Sequence, residues 1–314
     1  MSMECVVVGT HIVRPVIAVV CGPTASGKTR VAVGLAKILG AEVISADSMQ
    51  IYRELNIGTA KPTALEMDGV RHHLIDIASV GSEPFSVAKY VELAGGCARE
   101  IMGRGKRVIV CGGTGLYIDH FLCNTKFAEY PGDPGYKKEL EGFSVEELHS
   151  MLAGIDGESA AQIHKNNKKR VIRALEIFKT TGKTKSELDA LSRLEEPAYE
   201  FAKIGLNYPD RESLYEKIDM RVDRMVADGL ADEARQLYEG GLEAHIRRIG
   251  AIGYAELFDH FSGLCGFSEA VEKIKQHTRN YAKRQLTWFK KDPRTLWLEP
   301  DADCIKKCID FIGP

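Results

Sequence analysis

Residues 16–33 read VIAVVCGPTASGKTRVAV, and the fold class follows from them. Pro15 leads into an unbroken apolar run, Val16 to Cys21. A strand exposed on one face would alternate apolar and polar, so an unbroken run points to a parallel strand covered on both faces. Gly22 to Thr29 then fits G-x-x-x-x-G-K-[ST] in full. A helix is expected from Lys28 to Leu39, stopped by Gly40. Strand, glycine loop and helix N-terminus in that order make a phosphate cradle. Gly22 and Gly27 let the backbone curl, with Pro23, Thr24, Ala25 and Ser26 forming the wall between them. Lys28 brings a point charge to the phosphate oxygens. Thr29 brings a hydroxyl to Mg²⁺, a cation that takes hard oxygen donors. Many nucleotide- and ATP-binding proteins share this loop, so it implies a di- or triphosphate with Mg²⁺ and leaves the reaction open.

Strand and helix patterns alternate on either side of the loop. EVISAD (42–47), KRVIVCGG (106–113), FAKIGLNY (201–208) and TLWLE (295–299) read as further strands, and FSVAKYVELAGGCAREIM (85–102) as a helix. Together they predict an α/β, doubly wound parallel sheet. After YPGDPGY (130–136) the pattern is mostly helical up to about Pro197, with no strand signal to interrupt it. Ser144 and Glu147 make a capping box, and RVIRALEIFKTTG (170–182) carries apolar residues at Val171, Leu175 and Phe178. The expected organisation is a discontinuous core, 14–123 with 198–314, interrupted by a helical insertion at 124–197.

The net charge of −2 conceals an uneven distribution. Residues 165–185 carry eight Lys/Arg against Glu176 alone, and residues 273–294 carry eight against Asp292 alone. Outside these windows, 26 basic residues face 42 acidic ones. Two basic patches on an acidic chain point to a polyanion-binding surface. The eight cysteines include no CxxC pair, which fits buried thiols in a reducing cytoplasm. His72 and His73 are adjacent, a poor spacing for metal ligands, and read as structural. Arg14 and Pro15 break the only long apolar stretch near the N-terminus, and no basic segment precedes it. No membrane span or secretory leader is expected.

A phosphate-loop hydrolase would place a second magnesium-holding acid at the end of a later core strand. Here that strand runs into Gly112-Gly113-Thr114-Gly115-Leu116-Tyr117, without an acid. The candidate acid is Asp47, at the end of the second strand. Strand C-termini line the ligand crevice of a parallel sheet, so Asp47 is expected to face the same cleft as Lys28. Taken alone, Asp-Ser at this position suits a helix N-cap or turn equally well. In DRESLYEKIDMRVDRMVADGL, Arg221 lies beside the stripe Leu214, Ile218, Val222 and Met225, where a snorkelling stem is one reading.

With these motifs in place, the sequence resembles the bacterial type of the tRNA dimethylallyltransferases, also called tRNA isopentenyltransferases. GPTASGKT (22–29), ISADSMQIYR (44–53), IGTAKP (57–62), HHLIDI (72–77) and GGTGLY (112–117) carry the resemblance. KRVIRALEIF (169–178), RRIGAIGYAE (247–256) and TRNYAKRQLTWF (278–289) extend it over nearly the whole chain. No C-terminal zinc finger, as found in some eukaryotic relatives, precedes Pro314. The resemblance implies a P-loop kinase-like core with an inserted helical domain. It also implies transfer of a dimethylallyl group from dimethylallyl diphosphate to N6 of the adenosine 3′-adjacent to the anticodon, with release of diphosphate. In that scheme Asp47 is the general base, and Thr114 and Arg221 meet the diphosphate opposite the loop. Ser48, Met49 and Gln50 touch the target adenosine. Lys169, Arg170, Val171, Ile172 and Arg173 contact the tRNA from the insertion, joined by Lys137. Arg247, Arg248, Arg279, Lys283 and Arg284 are further phosphate contacts, while Tyr281, Trp288 and Phe289 are assigned to the core. The implied enzyme is cytoplasmic and monomeric, with Mg²⁺ as cofactor and tRNA and dimethylallyl diphosphate as partners.

Three other readings share part of this pattern. An adenylate isopentenyltransferase would modify free AMP, ADP or ATP and would not need a basic insertion. A P-loop small-molecule kinase would need the missing strand-end acid. A non-catalytic RNA-binding protein would not need Asp47, Lys28, Thr29, Thr114 and Arg221 together.

Overall fold

A computed structural model describes residues 7–8, 11–12, 16–83, 85–125, 133–192 and 199–313 of the chain. Tyr130, Pro131 and Gly132, part of the expected punctuation before the insertion, lie outside them. The chain divides into two units, Met1–Leu122 with Ala198–Pro314, and Cys123–Pro197.

In the first unit a two-residue pairing, β1 (Val7–Val8) with β2 (His11–Ile12), precedes the main sheet. That sheet holds β3 (Val16–Cys21), β4 (Ala41–Ser45), β5 (His72–His73), β6 (Arg107–Gly112), β7 (Glu200–Leu206) and β8 (Leu296–Leu298). All six are parallel, in the order β5-β4-β6-β3-β7-β8. The unbroken apolar run of β3 has the expected cause. Ile17, Val19 and Cys21 enter one buried layer, and Ala18 and Val20 enter the other. Side chains alternate across a strand, so both faces need apolar residues. One layer is closed by α3 (Val87–Gly103) and α4 (Gly115–Leu122), through residues such as Tyr90, Ala98, Ile118 and Phe121. The other is closed by α1 (Lys28–Leu39) and α15 (Cys304–Ile312), through Val31, Leu35, Cys304 and Cys308.

Two expected strands end early: β4 stops at Ser45 rather than Asp47, and β7 at Leu206 rather than Tyr208. Strand β5 was not anticipated, because His72-His73 has neither apolar length nor alternation. It exists because His73 is buried against Glu42, 2.7 Å away, beside Arg104 and Lys106.

A third apolar cluster lies within this unit. It joins the chain after β4 to α10 (Arg211–Ala227), α11 (Leu230–Glu239), α12 (Glu243–Ile249), α13 (Tyr254–Phe261) and α14 (Phe267–Phe289). A short helix, α2 (Ala64–Met67), is capped by Thr63 and Glu66.

The second unit is helical among its described residues. It contains α5 (Pro134–Glu141), α6 (Val145–Ile155), α7 (Gly157–Gln162), α8 (Lys168–Thr181) and α9 (Lys185–Ser192). The Ser144–Glu147 capping box is present at the start of α6. Asp156 caps α7 and also accepts the Ser186 amide and hydroxyl, tying α9 to it. Val171 and Ile172 lie in this unit's core, 0% and 4% exposed. Their side chains therefore build the insertion and do not face a ligand, which corrects the expectation for these two residues.

Candidate active site

Three strand ends converge. Cys21 lies level with Gly112, and Ser45 level with Cys111. The chain beyond each strand therefore opens onto the same edge: the glycine loop after β3, Asp47 after β4, and Gly113-Thr114 after β6. Together with α10, α12 and α14 they surround a cleft of about 520 Å³.

The loop forms as its sequence requires. Gly22 has φ of 136°, and a Cβ there would stand 2.4 Å from the Leu206 carbonyl oxygen. Any side chain would push the loop off the sheet. Ser26 is fully buried, and its hydroxyl donates to the Pro23 carbonyl at 2.8 Å. Thr24 to Thr29 line the cleft, while Gly22 and Pro23 lie outside its lining. Lys28 Nζ donates to the same Pro23 carbonyl at 2.5 Å. Burial lowers its pKa to about 8, and the charge of Arg221 pushes in the same direction while Asp47 opposes it. Burial also lowers the pKa of Arg221 from its ordinary value. Two cations are thus held in a partly dehydrated cleft, ready for an anion.

Asp47 lines this cleft. Its Oδ1 accepts the Met49 amide at 2.9 Å and the Gln50 amide at 3.3 Å. This is the turn-capping geometry that Asp-Ser suggested, and the carboxylate serves it while facing the cleft. Ser48, Met49 and Gln50 line the cleft beside it. Thr114 has a different place from the one expected. Its Oγ1 accepts the Ser48 amide at 3.0 Å, and its own amide donates to Ala46. The hydroxyl thus holds the Asp47 turn and is not part of the cleft lining.

Gln285 was missed by sequence reasoning. It is 5% exposed on α14. Its Oε1 accepts the Thr24 amide at 2.8 Å, and its Nε2 donates to the Gly113 carbonyl at 2.9 Å. One side-chain amide thereby joins the phosphate loop to the turn after β6. A Cβ on Gly113 would fall 2.1 Å from that Nε2, which accounts for the glycine. The hint lay in the family segment TRNYAKRQLTWF, but nothing in its spacing marks Gln285 apart from its neighbours. Tyr281, expected in the core, lines the cleft one turn earlier. Burial raises its pKa, and the charge of Asp47 adds to the rise. Trp288 donates to Asp119 at 2.7 Å and Phe289 is fully buried, so these two are structural.

The proposed phosphate contacts separate into two groups. Arg247 is held by Glu243 and Asp259, and Arg279 by both carboxylate oxygens of Asp219. These charges are already matched within the fold, which argues against both as nucleic-acid contacts. Arg248 is exposed and donates to the Ser82 carbonyl at 3.4 Å. Lys283 and Arg284 are exposed on α14, and Arg284 reaches the cleft. In the insertion, Lys137, Lys169, Arg170 and Arg173 are exposed, with Arg173 4.0 Å from Glu176.

Among the described residues, no cluster of three or more His, Cys, Asp or Glu could hold a metal unaided. Thr29, in the cleft lining next to Lys28, could supply one oxygen to Mg²⁺. No described helix is long and apolar enough to cross a membrane.

Comparison with known proteins agrees with this arrangement. The family model described as IPP transferase matches residues 50–292. A tRNA dimethylallyltransferase from Bacillus licheniformis is 48% identical over 290 residues, 91% of each chain. One from Halalkalibacterium halodurans is 47% identical over 298 residues, 93% of this chain and 94% of the relative. The crystal structure of the full-length tRNA isopentenylpyrophosphate transferase from Bacillus halodurans superposes with a TM-score of 0.70 at 42% identity, covering 95% of both chains. A eukaryotic dimethylallyltransferase acting on tRNA gives a TM-score of 0.78 at 27% identity, over 91% of this chain and 74% of that one. The chain belongs to the IPP transferase family.

Proposed function

We propose that this protein transfers a dimethylallyl group from dimethylallyl diphosphate to N6 of the adenosine 3′-adjacent to the anticodon of tRNA. One observation carries the reading: Asp47, Lys28 and Arg221 line a single cleft. A carboxylate opposite two cations suits an amine that must lose a proton and a diphosphate that must leave. N6 attacks the allylic carbon, the C–O bond breaks, and its electron pair departs on the diphosphate. Asp47 accepts the N6 proton. General-base action of this kind is worth roughly 10²–10⁴-fold. Lys28, Arg221 and the loop amides meet the growing negative charge. Bound Mg²⁺, with Thr29 among its ligands, would neutralise part of the diphosphate charge. Gln285 and Thr114 hold the two walls in register.

The target base must leave the anticodon-loop stack to enter the cleft, at a cost of a few kcal/mol. Ser48, Met49 and Gln50, which line the cleft, would receive it, and Arg284 at the same cleft would meet a nearby phosphate. Lys169 and Arg170, with Lys137, would hold the RNA from the insertion. The same reading makes the enzyme cytoplasmic, where mature tRNA is found, and monomeric.

The test uses labelled dimethylallyl diphosphate with either total tRNA or AMP as acceptor. Label is expected on tRNA adenosine with release of pyrophosphate and no ATP requirement. Labelling of AMP alone would establish the adenylate reaction instead, and a phosphorylated product would establish a kinase. Asp47→Asn is expected to lower kcat by about 10²–10⁴-fold with tRNA affinity retained.

A further inference from the structure

The segment IGTAKP (57–62) takes no part in the chemistry described so far, yet its backbone is held unusually closely. The Glu233 carboxylate on α11 accepts three successive amides. Asn56 reaches Oε2 at 3.1 Å, Ile57 reaches both oxygens at 3.0 Å, and Gly58 reaches Oε1 at 3.2 Å. The Tyr254 hydroxyl donates to Oε1 at 2.7 Å. Converging backbone amides form a concavity that selects an anion, and here the fold fills it with its own carboxylate. Tyr254 is fully buried and lies against Gly58, where a Cβ would come within 2.6 Å of its ring. Glycine at 58 and tyrosine at 254 are therefore one fitted pair.

The other side of this segment faces the reaction centre. The Thr59 carbonyl accepts from Arg221 Nη2 at 3.4 Å and from Gln50 Nε2 at 3.3 Å. The Ala60 carbonyl also accepts from Gln50, at 3.3 Å. The backbone N–H of Gln50 donates to Asp47 Oδ1. Arg221 is thus steered by a backbone carbonyl whose own position depends on Glu233, on the next helix in sequence.

We propose that Glu233 and Tyr254 are positioning residues: through the backbone of residues 56–60 they fix Arg221 and Gln50 in the cleft. The proposal rests on the assignment of Arg221 to the diphosphate. A misplacement of about 1 Å at such a group can cost on the order of 10²-fold in rate. Glu233→Gln keeps the size but turns an amide NH₂ toward backbone donors that need an acceptor. Tyr254→Phe keeps the packed ring and removes only the hydroxyl.

The test is a double-mutant cycle read by calorimetric affinity for inorganic pyrophosphate with Mg²⁺, with donor kcat and KM measured in parallel. Arg221→Ala should weaken pyrophosphate binding. Glu233→Gln should weaken it by about tenfold and lower donor kcat/KM by on the order of 10²-fold, with Tyr254→Phe changing both in the same direction. In the Arg221→Ala background each change should add less than about twofold, because the group it positions is gone. Full additivity in that background, or wild-type affinity in Glu233→Gln, would overturn the proposal. Should Glu233→Gln fail to fold, Tyr254→Phe decides the question by the same criterion. Unchanged pyrophosphate affinity in Arg221→Ala would instead overturn the assignment on which the proposal rests.

Discussion

Lys28 shows how far a single residue can be read in advance. Its place at the first position of α1 follows from the loop pattern alone. Its chemistry does not, because Arg221 reaches the same cleft from a distant helix, a meeting that the family resemblance implied and no local pattern marks. With its pKa lowered to about 8 by burial and by Arg221, the free enzyme holds a charged Lys28 below that pH and a neutral one above. Donor kcat/KM, which reports the free enzyme, should therefore be level below about pH 8 and fall as pH rises through it. A bound diphosphate pulls the lysine pKa back up, so kcat at saturating donor should keep no such limb. Lys28→Met should abolish the limb in kcat/KM along with most of the affinity. A wild-type profile level to about pH 10, the ordinary lysine range, would show that Lys28 is not titrating in the cleft as described. Asp47 was legible in a similar, partial way. Strand-end position placed it at the cleft, while its double use as turn cap and cleft carboxylate is a matter of the folded structure.

The elements were legible wherever burial imposes a period on the sequence. Strands β3 and β6 and helix α1 are covered on defined faces, and their apolar patterns state this openly. The two-residue strand β5 pairs with β4 beside a buried His73–Glu42 hydrogen bond instead, and a pattern of apolar residues cannot announce it. Helix α8 shows the opposite error. Lys169 to Arg173 read as one contact segment, but helical geometry turns Val171 and Ile172 into the core while Lys169, Arg170 and Arg173 stay outside. Helix α14 hides more. Its basic window suggested a surface for RNA, yet carboxylates already hold Lys273, Lys275, Arg279 and Arg294. Its buried Gln285 governs the loop. Gln285→Leu should leave the Thr24 amide and Gly113 carbonyl without their partner, costing about 1–3 kcal/mol in urea unfolding and weakening Mg²⁺–pyrophosphate binding. Gly113→Ala should reproduce both losses, because its methyl group occupies the place of Nε2. Equal pyrophosphate affinity in wild type and both variants would mean that the brace holds the fold and not the cradle.

At the scale of the molecule, the question is which of the basic residues serve RNA and which serve the fold. The family resemblance treated them alike. The structure separates Arg247 and Arg279, each held by carboxylates, from the exposed Lys169 and Arg170 of the insertion. The two groups should behave differently under one measurement, tRNA affinity as a function of salt. Each phosphate contact contributes roughly 0.7–0.9 to the slope of log K against log salt. Lys169→Ala with Arg170→Ala should therefore flatten that slope by between about one and two, with pyrophosphate affinity and thermal stability unchanged. Arg247→Ala and Arg279→Ala should leave the slope unchanged. Each should instead lower stability, because the change strips Asp259 or Asp219 of its counter-charge. The exchange of these outcomes, with the insertion pair neutral and the held pair steepening or flattening the salt response, would place the RNA on the core helices rather than on the insertion. An unchanged slope in all three variants would remove Lys169, Arg170, Arg247 and Arg279 from the interface and leave the cleft rim, with Arg284, as the site of the phosphate contacts.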